Sequence, residues 1–499
     1  MQQEKKKTGP LAQMIKDIKD GDRVIWIVVV LLMMLSIVAI FSSTSLLAIK
    51  EKVSRVDIFW GQLKVVGLGM AAILLCTIVP TNIRFFRWIS RWGFPVSLIL
   101  LLMLDMHIHI GGFIKALNVN GAYRAISIGG FSLQVFEVVK IAMVMYLAWA
   151  VQTYESGKFK LALTLGTKYP SAFGWLKDAK AQRWIFIFLP MVITVALIFP
   201  GSTGSALLTG IVMFATVIIG GLKWKDLIVP IAVAVAGVAL LMGIHIVSSG
   251  KVLPRMETAF NRLKIELPYP DAQARASQRA RIAVKTVDPA QLKPGTQQFR
   301  DYLDEIRQPA AAEIAIVQGG RAIVGKGPGK STQKYVVPVM FEDYMFSFIV
   351  EEYGLLMGFI IIIMYMSLFA RGAIIVHNST NRYAKACVGG LVFLITFQAL
   401  FHIVVNCNIG VLTGQTLPLI SHGRCSFICF SFAFGVILCI SKMANNKIKK
   451  QQDEEAKFMA KDETSVSMDI LDSIDDQLEA LENGVNPDEG DTEKDINGI

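Results

Sequence analysis

Three ionisable side chains lie at the edges of long apolar stretches, where a charged group is costly and usually has a function. Glu137 and Lys140 are three residues apart at the start of one stretch, so both lie on the same face of a helix. Asp343 opens another stretch much later in the chain. A carboxylate in such a place could act as a general base, because burial raises its pKa and a neighbouring ammonium group lowers it. We therefore expect a polar site containing these three residues, with interfacial charges that extend into water as the alternative.

The composition places these residues in a membrane protein. Hydrophobic residues make up 53% of the 499 positions and charged residues only 18%, whereas soluble domains are close to a quarter charged. The net charge of +11 does not indicate a nucleic-acid-binding protein, because the positive residues lie in short runs between apolar stretches, as in polytopic membrane proteins. Disordered, disulfide-stabilised and nucleic-acid-binding proteins all fit this composition poorly.

Ten stretches are long and apolar enough to cross a membrane as helices of about 20 residues. They are residues 24–46, 61–80, 93–112, 136–153, 184–200, 204–222, 227–247, 344–370, 386–410 and 416–441. The pattern predicts an all-α polytopic membrane protein with about ten transmembrane helices and one large extracytoplasmic loop between helices 7 and 8.

The positions of Lys and Arg predict the orientation of these spans, because short cytoplasmic loops are enriched in both residues. They are concentrated in the loops that follow even-numbered spans, so both termini are predicted to be cytoplasmic. The chain then divides into a basic N-terminus (1–23), a membrane domain (24–445) that includes the large loop (248–343), and an acidic, disordered cytoplasmic tail (446–499). Long loops cross the membrane regardless of their charge, so the charges of the large loop are compatible with this orientation.

No closed metal site is predicted. Asp105 and His109 would share a helix face, but His107 would point away from both, and two ligands do not complete a site. The six cysteines show neither the paired spacing of a zinc site nor a disulfide framework. A run rich in Gly and Lys from Gly319 to Ser331 lacks the spacing of a P-loop, although the backbone of such turns can bind anions.

Three blocks of the sequence resemble motifs of the SEDS family (shape, elongation, division and sporulation), which includes FtsW and RodA. Residues 120–140 resemble NGA-x-RWI-x-x-G-x-F-x-x-QPSE-x-x-K. Residues 319–354 resemble GG-x-x-G-x-G-x-G-x-S, LPEAHTDFIF and GEELG in succession, and residues 414–426 are similar to GLTLPLISYGGSS. Together with the ten-span layout, the resemblance covers about residues 20–445 and is closer to the division type, FtsW, than to the elongation type.

The resemblance implies a peptidoglycan glycosyltransferase that polymerises lipid II into glycan strands. Asp343 falls on the family's catalytic carboxylate and Lys140 on its lysine partner, so Asp343 is expected to be the general base and to pair with Lys140. Glu137 matches a further position of the same cavity and is expected to belong to the catalytic group. The residues expected to bind the substrate are Arg124, Gln134, Arg255, Lys330, Ser331, Pro418 and Ser421. A Mg²⁺ or Mn²⁺ ion could also neutralise the substrate pyrophosphate, and no other cofactor is expected.

Several supporting positions depart from the family pattern. They are Ala125, Val135, Phe136, Val339 and Phe341, the run 200–205 from which the family's acidic residue is absent, and the changed run 421–425. These departures leave two other functions open, a lipid II flippase and a non-catalytic divisome scaffold. A flippase would need polar residues continuing towards the inner face, and the spans contain few. A secondary transporter would have two related halves, and no internal repeat is evident.

The resemblance also implies partners and a location. The expected partners are lipid II, a single-span class B penicillin-binding transpeptidase and other divisome proteins. The transpeptidase span is expected to pack on the eighth and ninth helices. The expected location is the bacterial inner membrane at the division septum, and no nucleic-acid partner is expected.

Overall fold

The computed structural model describes residues 21–79, 82–110, 114–119, 122–157, 159–233, 237, 296–337, 340–409 and 414–446, together with residues 452 and 454. Most of the predicted seventh span, the first half of the large loop, the N-terminal segment and nearly all of the acidic tail lie outside these residues.

The described chain is mainly helical. Its helices are α1 (Arg23–Ser43), α2 (Ser45–Glu51), α3 (Arg55–Ile78), α4 (Ile83–Asp105), α5 (Val135–Glu155), α6 (Lys160–Lys168), α7 (Ala179–Ile198), α8 (Thr203–Ile219), α9 (Gln297–Gly320), α10 (Met345–Asn378), α11 (Arg382–Asn406) and α12 (Arg424–Asn446). Shorter turns are the helical Pro170–Phe173, the 3₁₀ turns Gly174–Lys177, Trp224–Leu227 and Gln333–Tyr335, and the π-helical turn Trp184–Phe188 within α7.

Eight of these helices are long and apolar enough to cross a membrane, namely α1, α3, α4, α5, α7, α10, α11 and α12. They correspond to eight of the ten predicted spans, and the shorter apolar helix α8 takes the place of the sixth. The multi-pass, mainly helical membrane fold is therefore confirmed. The predicted third span is too long, because α4 ends at Asp105 and His109 begins a strand. The helix face that Asp105 and His109 are expected to share does not exist.

Helices α5 and α11 lie at the centre of the bundle. About three quarters of their apolar length is buried, 78% for α5 and 72% for α11, against 22% for α3. α11 packs against α5, α8 and α10, while α5 also packs against α4 and α8. Gly390 permits this close packing, since a Cβ there would lie 2.7 Å from Val144 of α5 and 2.5 Å from Thr216 of α8. Side chains on α5 and α11 are thus held by tightly packed helices.

A four-stranded antiparallel sheet precedes α5, and the sequence analysis does not predict it. Its strands, in sheet order, are β1 (His109–Ile110), β2 (Ile114–Val119), β3 (Ala122–Ile128) and β4 (Phe131–Gln134). Gly129 and Gly130 both have positive φ, which is the conformation of a two-residue type I′ hairpin turn. Because β4 continues directly into α5, the sheet positions β3 beside the start of α5.

The end of the large loop returns to the bundle as a packed helix. α9 packs against α10, and its residues Ala311, Ala312 and Ala315 are buried. The chain then turns through a glycine-rich loop before α10 begins at Met345. Asp343 therefore lies between this loop and a membrane-spanning helix.

Candidate functional site

Three segments meet at the end of the bundle that the sequence predicts to be extracytoplasmic: the turn before α10, the turn before α12, and the junction of β4 with α5. The hydroxyl of Ser421 donates to the backbone carbonyl of Glu342 at 2.8 Å. The backbone amide of Gln134 donates to Sγ of Cys425 at 3.2 Å. These contacts bring the elements that carry Asp343 and Glu137 to the same end of the molecule.

Asp343 is partly buried and held closely by its neighbours. The side-chain amide of Asn406 donates to the backbone carbonyl of Asp343 at 3.0 Å. A Cβ at Gly414 would lie 3.3 Å from Oδ2 of Asp343, and Gly414 has a φ of 58°, a conformation that glycine adopts without strain. Burial raises the pKa of Asp343 to about 6, and the positive charge of Arg124 opposes this rise. Asp343 is thus a carboxylate with a raised pKa and a nearby guanidinium group.

Glu342 is a second acidic residue of the site, and the sequence analysis assigns it no role. Burial, followed by the negative charge of Asp343, raises the pKa of Glu342 to about 8. The pKa of Glu342 is therefore raised further than that of Asp343, so Asp343 is the member of the pair that ionises more readily. The sequence signal was present as two adjacent acidic residues directly before an apolar span.

Arg124 reaches the site from strand β3. Its side chain is partly buried. Nε of Arg124 donates to the backbone carbonyl of Gly201, in the turn between α7 and α8, at 3.2 Å. Two separate parts of the chain therefore fix the guanidinium group whose charge acts on Asp343.

Lys140 is almost completely buried in α5, with 1% of the residue exposed. Its ammonium group donates to Oε1 of Glu137 at 2.7 Å, Oε1 of Gln398 at 2.6 Å and Oε1 of Gln415 at 3.2 Å. An ammonium group has three hydrogens, so these acceptors use all of them. Glu137 is the acidic partner of Lys140 in the structure.

The direct ion pair expected between Lys140 and Asp343 is not formed, although both residues lie in the described part of the chain. Gln415 occupies one of the three donor directions of Lys140, and its neighbour Gly414 packs against the Asp343 carboxylate. In addition, α11 packs against both α5 and α10. The correction is therefore that Lys140 pairs with Glu137, while Arg124 supplies positive charge to Asp343.

Glu137 has one engaged and one unengaged oxygen. Oε1 accepts from Lys140, but Oε2 is buried and accepts no hydrogen bond from any residue that the structure describes. A buried polar atom of this kind normally has a partner. Oε2 of Glu137 is therefore suited to accept a hydrogen bond from a substrate hydroxyl or a water molecule.

Helix α11 supplies a row of polar side chains that the sequence analysis misses. Gln398, His402 and Asn406 recur at intervals of four, so they lie on one face of the helix. Gln398 binds Lys140 and donates to the backbone carbonyl of Thr416 at 3.0 Å, while Nδ1 of His402 lies 2.7 Å from the carbonyl of Gln415. Polar residues with this spacing inside an apolar span are the sequence signal that identifies such a row.

The remaining residues that are expected to bind the substrate differ in their burial and in their hydrogen-bond partners. Pro418 is buried, and its carbonyl accepts a hydrogen bond from the Tyr365 hydroxyl at 2.5 Å. Ser331 is also buried, and its hydroxyl donates to Glu351. Lys330 is exposed on the glycine-rich loop, and Arg255 lies outside the described residues. The Pro418 carbonyl and the Ser331 hydroxyl thus make hydrogen bonds within the protein.

Within the described residues, no three His, Cys, Asp or Glu side chains come together as a protein-only metal site would require. Mg²⁺ commonly binds through one or two carboxylates plus substrate phosphates. A divalent cation at Asp343 would be bound by a carboxylate together with water molecules and substrate phosphates.

Comparison with known proteins identifies relatives along most of the chain. The family model for cell cycle proteins of the FtsW, RodA and SpoVE type matches residues 22–265 and 292–446. A protein of Geobacter metallireducens named probable peptidoglycan glycosyltransferase FtsW is 26% identical over 437 residues, which cover 86% of this chain and 96% of that protein. Stage V sporulation protein E of Bacillus subtilis is 23% identical over 428 residues, covering 84% and 97% respectively.

A solved structure has the same fold. It is described as "Structural coordination of polymerization and crosslinking by a peptidoglycan synthase complex", and it superposes with a TM-score of 0.55 at 19% identity. The superposition covers 85% of this chain and 98% of the other.

Proposed function

This chain belongs to the family of cell cycle proteins that includes FtsW, RodA and SpoVE, and on that basis we propose that it is a peptidoglycan glycosyltransferase that polymerises lipid II during cell division. The names of its relatives, which include probable peptidoglycan glycosyltransferases, support this class of activity. The observation that carries the assignment is Asp343, a partly buried carboxylate with a raised pKa beside the charge of Arg124.

In the proposed reaction, a sugar hydroxyl attacks the anomeric carbon of a lipid-linked glycan. Asp343 accepts the hydroxyl proton as the new glycosidic C–O bond forms. The bond between the anomeric carbon and the pyrophosphate oxygen breaks, and the lipid pyrophosphate leaves with the electron pair. A carboxylate whose pKa is about 6 is still ionised at pH 7 and is a stronger base than an ordinary aspartate with a pKa of ~4.

The other residues of the site have supporting roles in this proposal. Arg124 is suited to the pyrophosphate because a guanidinium group binds phosphate oxygens through two parallel hydrogen bonds. Oε2 of Glu137 can accept a hydrogen bond from a sugar hydroxyl. Lys140 holds Glu137 and the turn before α12 in place through its three hydrogen bonds. A Mg²⁺ or Mn²⁺ ion bound through the substrate phosphates would add positive charge beside Asp343.

The proposed partner is a single-span class B transpeptidase. The related structure described as a peptidoglycan synthase complex with polymerization and crosslinking supports such an assembly. On α11, the rings of Phe393, Phe397 and Phe401 stack in succession with centroids 5.3 Å and 6.0 Å apart, and all three residues are partly exposed. This face, together with α10, is the surface we propose for the transpeptidase span. The proposed location is the inner membrane at the septum, with both termini cytoplasmic.

The test is polymerisation by purified protein in lipid nanodiscs with fluorescent lipid II. It includes a class B transpeptidase from the same cell whose crosslinking activity has been inactivated, so that any polymer comes from this chain. The proposal predicts glycan strands longer than a disaccharide. Transport of lipid II across vesicles without polymer would support the flippase. Stable association with the transpeptidase without polymer or transport would support the scaffold. Either of these two results would reject the glycosyltransferase.

A further inference from the structure

Helix α10 is interrupted close to its start. Gly354 has φ 81° and ψ 176°, which is not a helical conformation, so residues 345–353 form a short helix separated from the rest of α10. Asp343 lies just before this short helix, and Glu351 and Glu352 lie at its end. The position of Asp343 therefore depends on how the short helix is held.

The glycine-rich loop, residues 323–334, docks on this interruption; we call it the docking loop. The amides of Lys326 and Gly327 donate to the carbonyls of Glu351 and Glu352, at 3.0 Å and 2.8 Å. These carbonyls are ones that an uninterrupted helix would satisfy internally. A Cβ at Gly325 would lie 2.4 Å from the backbone nitrogen of Gly354, so side chains other than hydrogen do not fit at this contact.

Two carboxylates are completely buried beneath the docking loop. Glu351 accepts hydrogen bonds from Lys326 at 2.6 Å and from the hydroxyl of Ser331 at 2.5 Å. The side chains of Glu351 and Glu352 are both enclosed, with 0% of either residue exposed. These hydrogen bonds account for the side chains of Lys326 and Ser331, which therefore do not bind the substrate in this arrangement.

Glu352 connects three separate parts of the chain. It forms an ion pair with the buried Lys334 of the docking loop at 3.3 Å, and it accepts from the amide of Ser331 at 3.2 Å. The hydroxyl of Ser42, at the end of α1, lies 2.8 Å and 2.7 Å from its two carboxylate oxygens. Because both ionic groups are buried, removing one would leave the other without a counter-charge.

We propose, on the basis of the function assigned to Asp343, that Glu352 and Lys334 are positioning residues for it. Lys334 precedes Asp343 in the chain and Glu352 follows it, so their pairing closes a loop that has Asp343 in its middle. Ser42 anchors this closed loop to α1. The short helix cannot rotate about Gly354 and carry Asp343 away from Gly414 while this pairing is intact.

The experiment compares two variants with a matched control. Glu352→Gln removes the buried charge, and Ser42→Ala removes only the hydroxyl that anchors it. The control is Arg371→Gln, which breaks the ion pair of Arg371 with Asp22 elsewhere on α10. Each protein is measured for hydrogen exchange of residues 340–346, for its unfolding temperature, and for kcat and KM on lipid II.

We expect faster hydrogen exchange at residues 340–346 in Glu352→Gln and Ser42→Ala, and unchanged exchange there in Arg371→Gln. We expect kcat to fall by roughly 10²-fold in Glu352→Gln, because a misplacement of about 1 Å has that effect on catalysis, with KM nearly unchanged. Exchange in both Ser42→Ala and Glu352→Gln equal to that of the control would overturn the proposal. If Glu352→Gln does not fold, the hydrogen exchange of residues 340–346 in Ser42→Ala alone tests the proposal, and exchange equal to that of the control would overturn it.

Hydrogen exchange also separates this proposal from the function on which it rests. A wild-type protein that makes no glycan would reject the glycosyltransferase, whereas the exchange of residues 340–346 would still report whether Glu352 positions Asp343. A variant with altered exchange and unaltered kcat would show that the position of Asp343 does not matter for turnover, and it would also overturn the positioning role.

Discussion

The pairing of Lys140 with Glu137 makes a quantitative prediction for a double-mutant cycle. Lys140→Met leaves the Glu137 carboxylate buried without its cation and removes the donor from Gln398 and Gln415. Removing one partner of a buried ion pair costs about 3–5 kcal/mol of stability. Glu137→Gln leaves Lys140 with amide oxygens as its acceptors, so its cost should be smaller, about 1–3 kcal/mol.

In the double variant no charge remains, and the cost should be less than the sum of the two single costs. We expect a coupling free energy of about 1–3 kcal/mol for Lys140 with Glu137. The same cycle for Lys140→Met with Asp343→Asn should give a coupling below about 0.5 kcal/mol, because these residues form no ion pair. The measurement is reversible unfolding in mixed micelles, followed by tryptophan fluorescence.

The two double-mutant cycles can also give the opposite result. A coupling free energy for Lys140 with Asp343 that equals or exceeds that for Lys140 with Glu137 would refute the arrangement described here. It would mean that Lys140 faces Asp343 in the folded protein, as the family resemblance implies. The control pair is Arg382 with Glu155, an exposed ion pair for which the coupling should be below about 1 kcal/mol.

Four further predictions concern the pH dependence of the rate, stability, backbone conformation and topology. Because Asp343 must be ionised to act as a base, the rate of polymerisation should rise with pH through about 6. Arg124→Gln should move this rise to higher pH, because it removes a positive charge that lowers the pKa of Asp343. A pH–rate profile that is the same in Arg124→Gln and the wild type would contradict this prediction. Because the pKa of Asp343 is higher in the folded state than in the unfolded state, ionising this carboxyl between about pH 4 and pH 6 lowers the free energy of unfolding. Asp343→Asn removes the ionisable group, so it should raise the unfolding temperature at pH 7. Gly414→Ala should lower kcat roughly tenfold, because its Cβ would press on the Asp343 carboxylate and because residue 414 has a positive φ that alanine rarely adopts. Full activity of Gly414→Ala would contradict the close contact. Reporters fused after Lys450 and inserted near Gln291 should read cytoplasmic and external respectively, and the reverse signals would overturn the predicted orientation.

Sequence reasoning finds the membrane spans because their signal is local. A run of about 20 apolar residues is sufficient to identify a span, and eight such runs are helices long and apolar enough to cross a membrane in the described part of the structure. The sheet before α5 has a weaker signal, because its strands are short. The adjacent Gly129 and Gly130 are the local indication of its hairpin.

The partners of the candidate catalytic residues depend on distant parts of the chain. The spacing of Glu137 and Lys140 correctly places them on one helix face, and the structure pairs them. In contrast, Gln398 and Gln415 lie 258 and 275 residues from Lys140 in sequence, and only the packing of α11 and the turn before α12 brings them to it. No local pattern in the sequence could have shown that these residues accept the remaining hydrogen bonds of the Lys140 ammonium group.

The composition of the glycine-rich loop fits two different structures, so composition alone does not predict what the loop binds. Turns rich in Gly and Lys can bind anions through backbone amides, and that reading makes Lys330 and Ser331 substrate ligands. In the structure, amides of this loop bind the carbonyls of Glu351 and Glu352, and its side chains bind their carboxylates. The anion that the loop binds is part of the protein, which composition alone does not reveal.

The central claim is that Asp343 is the general base, and one substitution tests it most directly. Asp343→Asn preserves the shape of the side chain and removes its basicity, while Asp105→Asn makes the same chemical change at a carboxylate at the end of α4, outside the site. Both proteins are assayed for glycan polymer from lipid II with the same transpeptidase, after equal insertion and partner binding are verified. General-base catalysis contributes about 10²–10⁴-fold, so we expect Asp343→Asn to lose at least about 10²-fold in rate and Asp105→Asn to retain the wild-type rate. An Asp343→Asn protein that polymerises lipid II at the wild-type rate would contradict the account.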